Sequence, residues 1–405
     1  MRLIIAWRNL LAKPVQSSLT VLVVTAAIAM MLVITLLFNG IHSGLIRATE
    51  PFDMIAGAKG SPNQLVLNTV FLQDTPIGNV SHELYERLAA NPLVAAAIPL
   101  ALGDNYKGYA IIGAGNGIFQ HQPKAGQQQW LQLASGRSFT QAFEAVVGAK
   151  AARELGLNPG DTFKSIHGVL PGGDGHDHPY QVVGILQTVS GPYDQSILVP
   201  IESIWQGHEN HQASPAAQAA AGSGHAEREQ AVTAILVKPK GYSEAMRLYQ
   251  QFQHEPEGQL VFPAQVIIRL LTLMGQGEQV LKTAAYIVTV LGLIMMSLSL
   301  YWSSLSRARE RAILRALGAG SRDIFAIILS EAAMLTGLGI AIGGLTGFGL
   351  YALLAKTLVL KTALLLPLAF TPASGCILLG GLFLGIAAGS IPAVFASRED
   401  VIQYL

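Results

Sequence analysis

Arginine is concentrated in one short segment, 306–325 (SRARERAILRALGAGSRDIF), between two apolar stretches of this 405-residue chain. Arg307, Arg311 and Arg315 are four residues apart, and positions four apart lie on one face of a helix. The spacing therefore predicts a short amphipathic helix with a basic face, and Arg309 adds a further guanidinium beside it. Guanidinium groups bind carboxylates, phosphates and lipid headgroups. Two roles fit this chemistry: a positive topology signal that rests on lipid, and a docking element for a soluble partner.

Two neighbouring features bear on where this helix ends and what it meets. Gly318 follows Leu317 and is suited to a left-handed helix cap, because glycine adopts positive φ without strain. Glu331 lies within the next apolar stretch, where a carboxylate needs a polar partner. Pairing of Glu331 with a loop arginine is one interpretation, and an acid on an ion pathway is the other.

Six of the ten histidines fall in two polar loops, 167–178 and 207–230. They are His167, His176, His178, His208, His211 and His225. Imidazole and carboxylate groups are ligands for zinc and similar divalent ions. A metal site that serves as a staple, a regulator or a cargo site is one interpretation, and two solvated loops that have accumulated histidine is the other. Without cysteine ligands the spacing does not decide between them.

The composition indicates a membrane protein. Hydrophobic residues make up 51% of the chain and charged residues 13%, whereas soluble domains carry about 25% charged residues. Mean hydropathy is +0.42. The net charge of +1 gives no indication of nucleic-acid binding. A single cysteine, Cys376, excludes an intrachain disulfide bond.

Four apolar stretches are long enough to cross a bilayer. They predict transmembrane helices at 17–40, 281–305, 323–355 and 371–396. The first stretch is too long for the apolar region of a signal peptide and no cleavage site follows it, so we expect a retained anchor. Positive charges near the helix ends place the N-terminal segment (1–16), the arginine segment (306–322) and the C-terminal tail (397–405) in the cytoplasm. Residues 41–280 and the short loop 356–370 are then external, although Lys356 and Lys361 run against this charge bias.

The external region 41–280 has soluble composition and a mixed pattern of strands and helices. Short β-like runs occur at 52–58, 109–115, 145–149, 180–186, 196–201 and 231–239. Helical patterns lie at 81–91, 149–157 and 242–254. This alternation predicts an α+β domain. We also expect the residues before 281 to continue as helix into the second span.

Both of the last two spans contain glycines four residues apart. They are Gly339, Gly343 and Gly347 in the third span and Gly381, Gly385 and Gly389 in the fourth. Such ladders let helix backbones approach closely in a membrane. Packing of the third span on the fourth within one chain is one interpretation, and an interface or sliding seam with a second copy is the other.

Three segments together resemble one protein family. RARERAILRALGA (307–319), AWRNLLAKP (6–14) and VVGAKAARELGLNPGDTF (146–163) are similar to segments of the FtsX/MacB-type permeases, the type VII, mechanotransmission branch of ABC transporters. The resemblance implies an α-helical membrane protein with four transmembrane helices plus a large α+β extracytoplasmic domain inserted between helices 1 and 2. It also implies that 41–280 is a MacB-like periplasmic core domain and 306–322 a cytoplasmic coupling helix.

The resemblance further implies a mechanism in which a dimeric cytoplasmic ATPase closes on ATP and pushes on the coupling helix. The residues in that role would be Arg307, Arg309, Glu310, Arg311, Arg315, Leu317 and Gly318. The chain contains no G-x-x-x-x-G-K-[ST] phosphate-binding motif. We therefore expect no enzymatic activity and no cofactor on this chain, with ATP bound by the partner subunit.

The expected setting is the bacterial inner membrane, with an ABC ATPase, a second permease copy of the same or another kind, membrane lipid, and a periplasmic adaptor or lipoprotein as partners. Three functions remain open from the sequence. The first is transport of a cargo by the external domain, and the second is FtsX-like regulation of a periplasmic enzyme such as a cell-wall hydrolase. The third is a membrane-anchored module for divalent metal, such as zinc.

Overall fold

The computed structural model describes residues 2–124, 126–167, 178–212, 230, 232–362 and 366–398, and the chain divides into two compact units. The first unit comprises residues 1–41, 273–357 and 366–405. The second comprises residues 42–272 and 358–365.

The helices of the described residues follow the order that the hydropathy pattern predicts. They are α1 (Arg2–Ala12), α2 (Pro14–Thr49), α3 (Pro62–Phe71), α4 (His82–Ala89), α5 (Ala149–Leu155), α6 (Ile201–Gln212), α7 (Tyr242–Phe252), α8 (Pro263–Leu305), α9 (Ala308–Ala316), α10 (Ser321–Thr362) and α11 (Pro372–Arg398). Helices α2, α8, α10 and α11 are long and apolar enough to cross a membrane. The predicted fold class, four membrane helices with an α+β domain after the first, is therefore confirmed.

Three of these four helices are longer than a membrane requires. Helix α8 has 43 residues and α10 has 42, so at about 1.5 Å per residue each extends about 60 Å, roughly twice the hydrocarbon thickness of a bilayer. Helix α2 has 36 residues. The continuous helix predicted before residue 281 is present, because α8 begins at Pro263. Each of these three helices has residues in both units.

The second unit is built on one mixed sheet. Its strands are β1 (Met54–Ala58), β2 (Val94–Tyr106), β3 (Tyr109–Ala114), β4 (Leu133–Gly136), β5 (Glu144–Val147), β6 (Thr162–Phe163), β7 (Ile166–His167), β8 (Tyr180–Leu186), β9 (Ser196–Pro200), β10 (Ala234–Pro239) and β11 (Gly258–Val261). The order is β11-β1-β10-β2-β3-β9-β5-β8-β4, with β6 beside β8 and β7 beside β2. The β3–β9 and β5–β8 pairs are parallel, and the other ladders are antiparallel.

Buried side chains from the strands and helices fill the core of this unit. Ile111 and Ile197 pair across β3 and β9 and are both fully buried. Leu84 and Leu88 lie four apart on α4 and are likewise buried, which is the amphipathic pattern that the sequence predicted. The longest strand, β2, was not predicted, because its alanines and Pro99 carry little of the β-branched signal that marks strands.

The glycine ladder of the third span packs against the first span. A Cβ atom added to Gly343 would lie 2.9 Å from the carbonyl oxygen of Thr25 and 3.0 Å from the Cβ of Ile28. Gly339 and Gly347 approach α2 in the same way. The interpretation from sequence paired the third span with the fourth. In the structure the closest approach is to α2, since a glycine face lets the two backbones meet.

The ladder of the fourth span faces mainly the third. A Cβ atom added to Gly385 would overlap the side chain of Thr336, and one added to Gly389 would overlap the Cβ of Ala332. Gly381 instead faces α2. Helix α10 is thus packed against α2 on one face and α11 on another, so within the described residues both ladders are occupied by contacts inside one chain.

We expect Gly343→Val to destabilise the first unit, called the membrane unit below, by about 2 kcal/mol, because the added methyl groups meet the backbone of α2. Gly349→Val is the matched control: it lies on the same helix, and nothing comes within 4 Å of its added Cβ. The melting temperature of the purified protein in detergent should fall for the Gly343 variant and stay close to wild type for the control. Equal effects in the two variants would contradict this packing.

Candidate functional site

The arginine segment forms the nine-residue helix α9. Gly318 has φ of +98°, and the amide of Ala319 donates to the carbonyl of Leu314 at 3.0 Å while the amide of Gly318 donates to that of Arg315 at 2.9 Å. This pair of bonds is a Schellman cap, which needs a residue with positive φ at the position of Gly318. The left-handed cap predicted from the sequence is present.

The three arginines spaced four apart contact other parts of the first unit. Arg307 donates to the carbonyl oxygen of Asn9 at 2.7 Å. Arg311 donates to the carbonyl oxygen and, at 2.6 Å, to the hydroxyl of Ser304. Arg315 donates to the carbonyl oxygen of Ser397 at 2.6 Å. The basic face of α9 is therefore directed at the ends of neighbouring helices.

The remaining predicted coupling residues are exposed, and Glu310 also lines the pocket beside Arg307 and Arg311. Arg309, Glu310 and Gly318 are exposed. Leu317 is 81% exposed, and Ile313, which the sequence analysis did not select, is 51% exposed. The seven predicted residues therefore fall into two sets: three arginines that bind this chain, and four residues that leave charged and apolar surface uncovered.

The N-terminal helix α1 joins this site through Asn9. The side-chain amide of Asn9 donates to a carboxylate oxygen of Glu331 at 2.5 Å, while its backbone carbonyl accepts from Arg307. Glu331 is 6% exposed and lines the same pocket as Arg307 and Arg311. Asn9 is thus the hydrogen-bond partner seen for Glu331, where the sequence suggested an arginine. Lys13, one residue past α1, donates to the hydroxyl of Ser306.

Sequence reasoning missed Asn9, Ser304 and Ser397. All three contribute backbone carbonyls to the arginines, and a carbonyl leaves no signature in the sequence. A usable signal was Pro14, which lies two residues past the end of α1 and lacks an N–H. It indicates that at least one carbonyl near the end of α1 needs a partner other than the next turn.

The predicted metal ligands are only partly within the described residues. His176 and His225 lie outside them, and only the backbone is described for His167 in β7 and for His208 and His211 in α6. His178 is exposed, and its ring centroid lies 5.0 Å from that of Phe143. Among the described residues there is no group of three or more histidine, cysteine, aspartate or glutamate residues that could hold a metal ion. Zinc binding stays a prediction.

Comparison with known proteins gives two family matches. Residues 17–245, more than half of the chain, match the MacB-like periplasmic core domain, and residues 282–401 match the FtsX-like permease C-terminal domain. None of the curated proteins compared with the chain matches it significantly.

Two solved structures are similar over about half of the chain. The extracellular domain of the noncanonic ABC-type transporter YknZ from Gram-positive bacteria has 13% identity and a TM-score of 0.31, covering 51% of this chain and 98% of that domain. The periplasmic region of MacB from Actinobacillus actinomycetemcomitans has 12% identity and a TM-score of 0.34, covering 54% and 94%. At these values neither bears on function.

We expect Gly318→Ala to loosen the end of α9, because a Cβ in the left-handed conformation costs about 1 kcal/mol. Hydrogen exchange at the amides of residues 317–319 should accelerate about fivefold. Gly320→Ala is the control in the same loop, since Gly320 has no positive φ. Unchanged exchange in the Gly318 variant would contradict the cap.

Proposed function

This chain belongs to the FtsX/MacB-type permease family of ABC transporters, and we propose that it carries the ATP-driven motion of a partner ATPase to its external domain. Family membership makes it a membrane permease component and implies an ABC ATPase partner. It also indicates an inner-membrane protein with a large extracellular domain. What the proposal adds is the site of contact and the route of the motion.

The observation that carries the proposal is the uncovered face of α9. Leu317 and Ile313 are large apolar side chains exposed on a helix that ends in an ordered cap. Arg309 and Glu310 lie beside them. A mixed apolar and charged patch on a short helix suits insertion into a groove of a soluble protein. Pure lipid contact would favour apolar residues flanked by basic ones alone, so Glu310 argues for a protein partner.

The long helices support a mechanical route from this contact to the external domain. Helices α8 and α10 are continuous, and each has residues in both units. The far end of α10 is held within the second unit, where the ammonium of Lys150 donates to the carbonyl of Val359 at 3.3 Å. Lys150 is the second residue of α5, and the side chain is 15% exposed. A displacement of the α9 end of α10 would therefore be passed to the second unit, which contains the sheet.

The orientation follows from charge. The positive residues of α1 and of the segment 306–322 favour the cytoplasm, which puts both termini inside and the sheet domain in the periplasm. In this arrangement α9 faces the ATPase. A second permease copy would complete the complex, and the external domain would act on a cargo or on a periplasmic adaptor or lipoprotein.

We expect Arg309→Glu and Leu317→Asp each to reduce the ATPase that co-purifies with the tagged chain by about tenfold or more, because each change places a carboxylate in the docking face. The chain is expressed in its native host and purified in detergent, and both co-purified ATPase activity and the bound subunit are measured. Arg322→Glu is the matched control: the same charge reversal at an exposed residue of α10, beyond the end of α9.

A wild-type chain that brings no ATPase subunit with it would contradict the proposed function. So would an ATPase that stays bound to the Arg309 and Leu317 variants but is lost from the Arg322 variant. The second result would move the docking surface from α9 to the start of α10.

A further inference from the structure

We propose that Arg307, Arg311 and Arg315 are positioning residues, each of which binds the carboxyl-terminal end of a different helix, so that together they fix α9 to the membrane unit. This inference rests on the proposed function only for its consequence, the docking of an ATPase. The three arginine contacts, called the clamp below, are a property of this chain alone. The clamp separates the predicted coupling residues into those that hold the helix and those that meet the partner.

The physical basis is the carboxyl end of an α-helix. The last four carbonyl groups of a helix have no partner in the next turn, and the aligned peptide dipoles give that end a partial negative charge of about half an electron. A cationic donor placed there satisfies a carbonyl and offsets the charge. Helices α1 and α8 end beside α9, the described part of α11 also ends there, and each of the three meets one arginine.

Arg307 serves α1. Helix α1 ends at Ala12, so the carbonyl of Asn9 is among its last four. The amide four residues on, that of Lys13, donates to the carbonyl of Leu10 at 3.4 Å rather than to that of Asn9. Arg307 donates to the Asn9 carbonyl at 2.7 Å. The side chain of Asn9 then binds Glu331, which ties the same point to α10.

Arg311 binds the end of α8. This helix ends at Leu305, and the carbonyl of Ser304 is therefore one of its last four acceptors. Arg311 binds both the carbonyl and the hydroxyl of Ser304, which is 9% exposed. The same carbonyl also accepts from the amide of Arg307 at 3.0 Å, so the turn between α8 and α9 is fixed from two directions.

Arg315 serves α11. The described part of that helix ends at Arg398, and Arg315 donates to the carbonyl of Ser397 at 2.6 Å. A longer contact, 3.4 Å, joins Arg315 to the hydroxyl of Ser321, the first residue of α10. One basic face of a nine-residue helix thus reaches four neighbouring helices.

The four-residue spacing follows from this geometry. Guanidinium groups at four-residue intervals are about 6 Å apart along the axis of α9 and lie on one face of the helix, so each can meet a different acceptor. At Ser304 a single terminal nitrogen of Arg311 donates to both the carbonyl and the hydroxyl, and the planar guanidinium keeps further N–H donors for other acceptors. A lysine at the same position would present a single charged group.

The alternative occupant of the basic face is an anionic lipid headgroup. The pocket beside α9 is lined by Arg307 and Arg311, and Glu310 and Glu331 line it as well. Two carboxylates offset the two guanidinium groups, so the pocket offers no surplus of positive charge to an anion. The observations favour binding of the arginines to the protein itself.

The test uses the full chain purified in nanodiscs without any partner. Arg307→Gln, Arg311→Gln and Arg315→Gln are compared with Arg309→Gln, which makes the same chemical change on the exposed side of the same helix. Hydrogen exchange of the amides of residues 308–317 is measured. We expect exchange about tenfold faster in the three clamp variants and unchanged exchange in the Arg309 variant, with Arg→Lys substitutions intermediate.

If a glutamine variant does not insert or aggregates, its Arg→Lys variant is measured in its place. Exchange indistinguishable from wild type in the glutamine variants at all three positions would overturn the proposal. Unchanged exchange in Arg311→Gln together with loss of the co-purified ATPase would also overturn it, because the arginine would then meet the partner directly. A clamp that loosens as expected in a chain that binds no ATPase would leave the clamp standing and remove the proposed function.

Discussion

A helix that ends at the surface of a membrane leaves carbonyl groups without partners and a negative partial charge behind them. In this protein helices α1 and α8 and the described part of α11 end beside α9. Each end is met by one guanidinium from a single short helix. The position of α9 therefore depends on backbone electrostatics, and the outer side of the helix is left available for another molecule.

The attachment of α9 to neighbouring helices is what the proposed transmission of motion requires. In the proposed mechanism α9 can transmit force only if it is bound to the membrane helices. Its arginines bind α1, α8 and α11. Helix α10 packs closely on α2 and α11 because glycine ladders remove the side chains that would keep the backbones apart. Its far end is held by Lys150. Stiff helices that continue beyond the bilayer would pass displacement on without needing a path for cargo through the lipid.

The sequence predicted those features that depend on local chemistry or on hydropathy. The four spans, the strands β8 and β9 and the left-handed cap at Gly318 were all readable, because apolar length, β-branched runs and glycine placement are local signals. The direction of the arginine face was not readable. A helical wheel shows that Arg307, Arg311 and Arg315 share a face, yet their acceptors are mainly backbone carbonyls from distant segments. The helix opposite Gly343 was missed for a similar reason, since a ladder of small residues does not specify its partner.

The central claim is that motion at α9 reaches the external domain. The most direct measurement places spin labels at Arg322→Cys, beside α9, and at Tyr242→Cys, an exposed residue of α7, in a Cys376→Ser background. Distances between the two labels are recorded by pulsed electron resonance in the complex with its ATPase, without nucleotide and with a trapped ATP state. We expect the distance distribution to shift on trapping and Arg311→Gln to diminish the shift. A distribution that is identical in the two nucleotide states, in a complex that still hydrolyses ATP, would contradict the central claim.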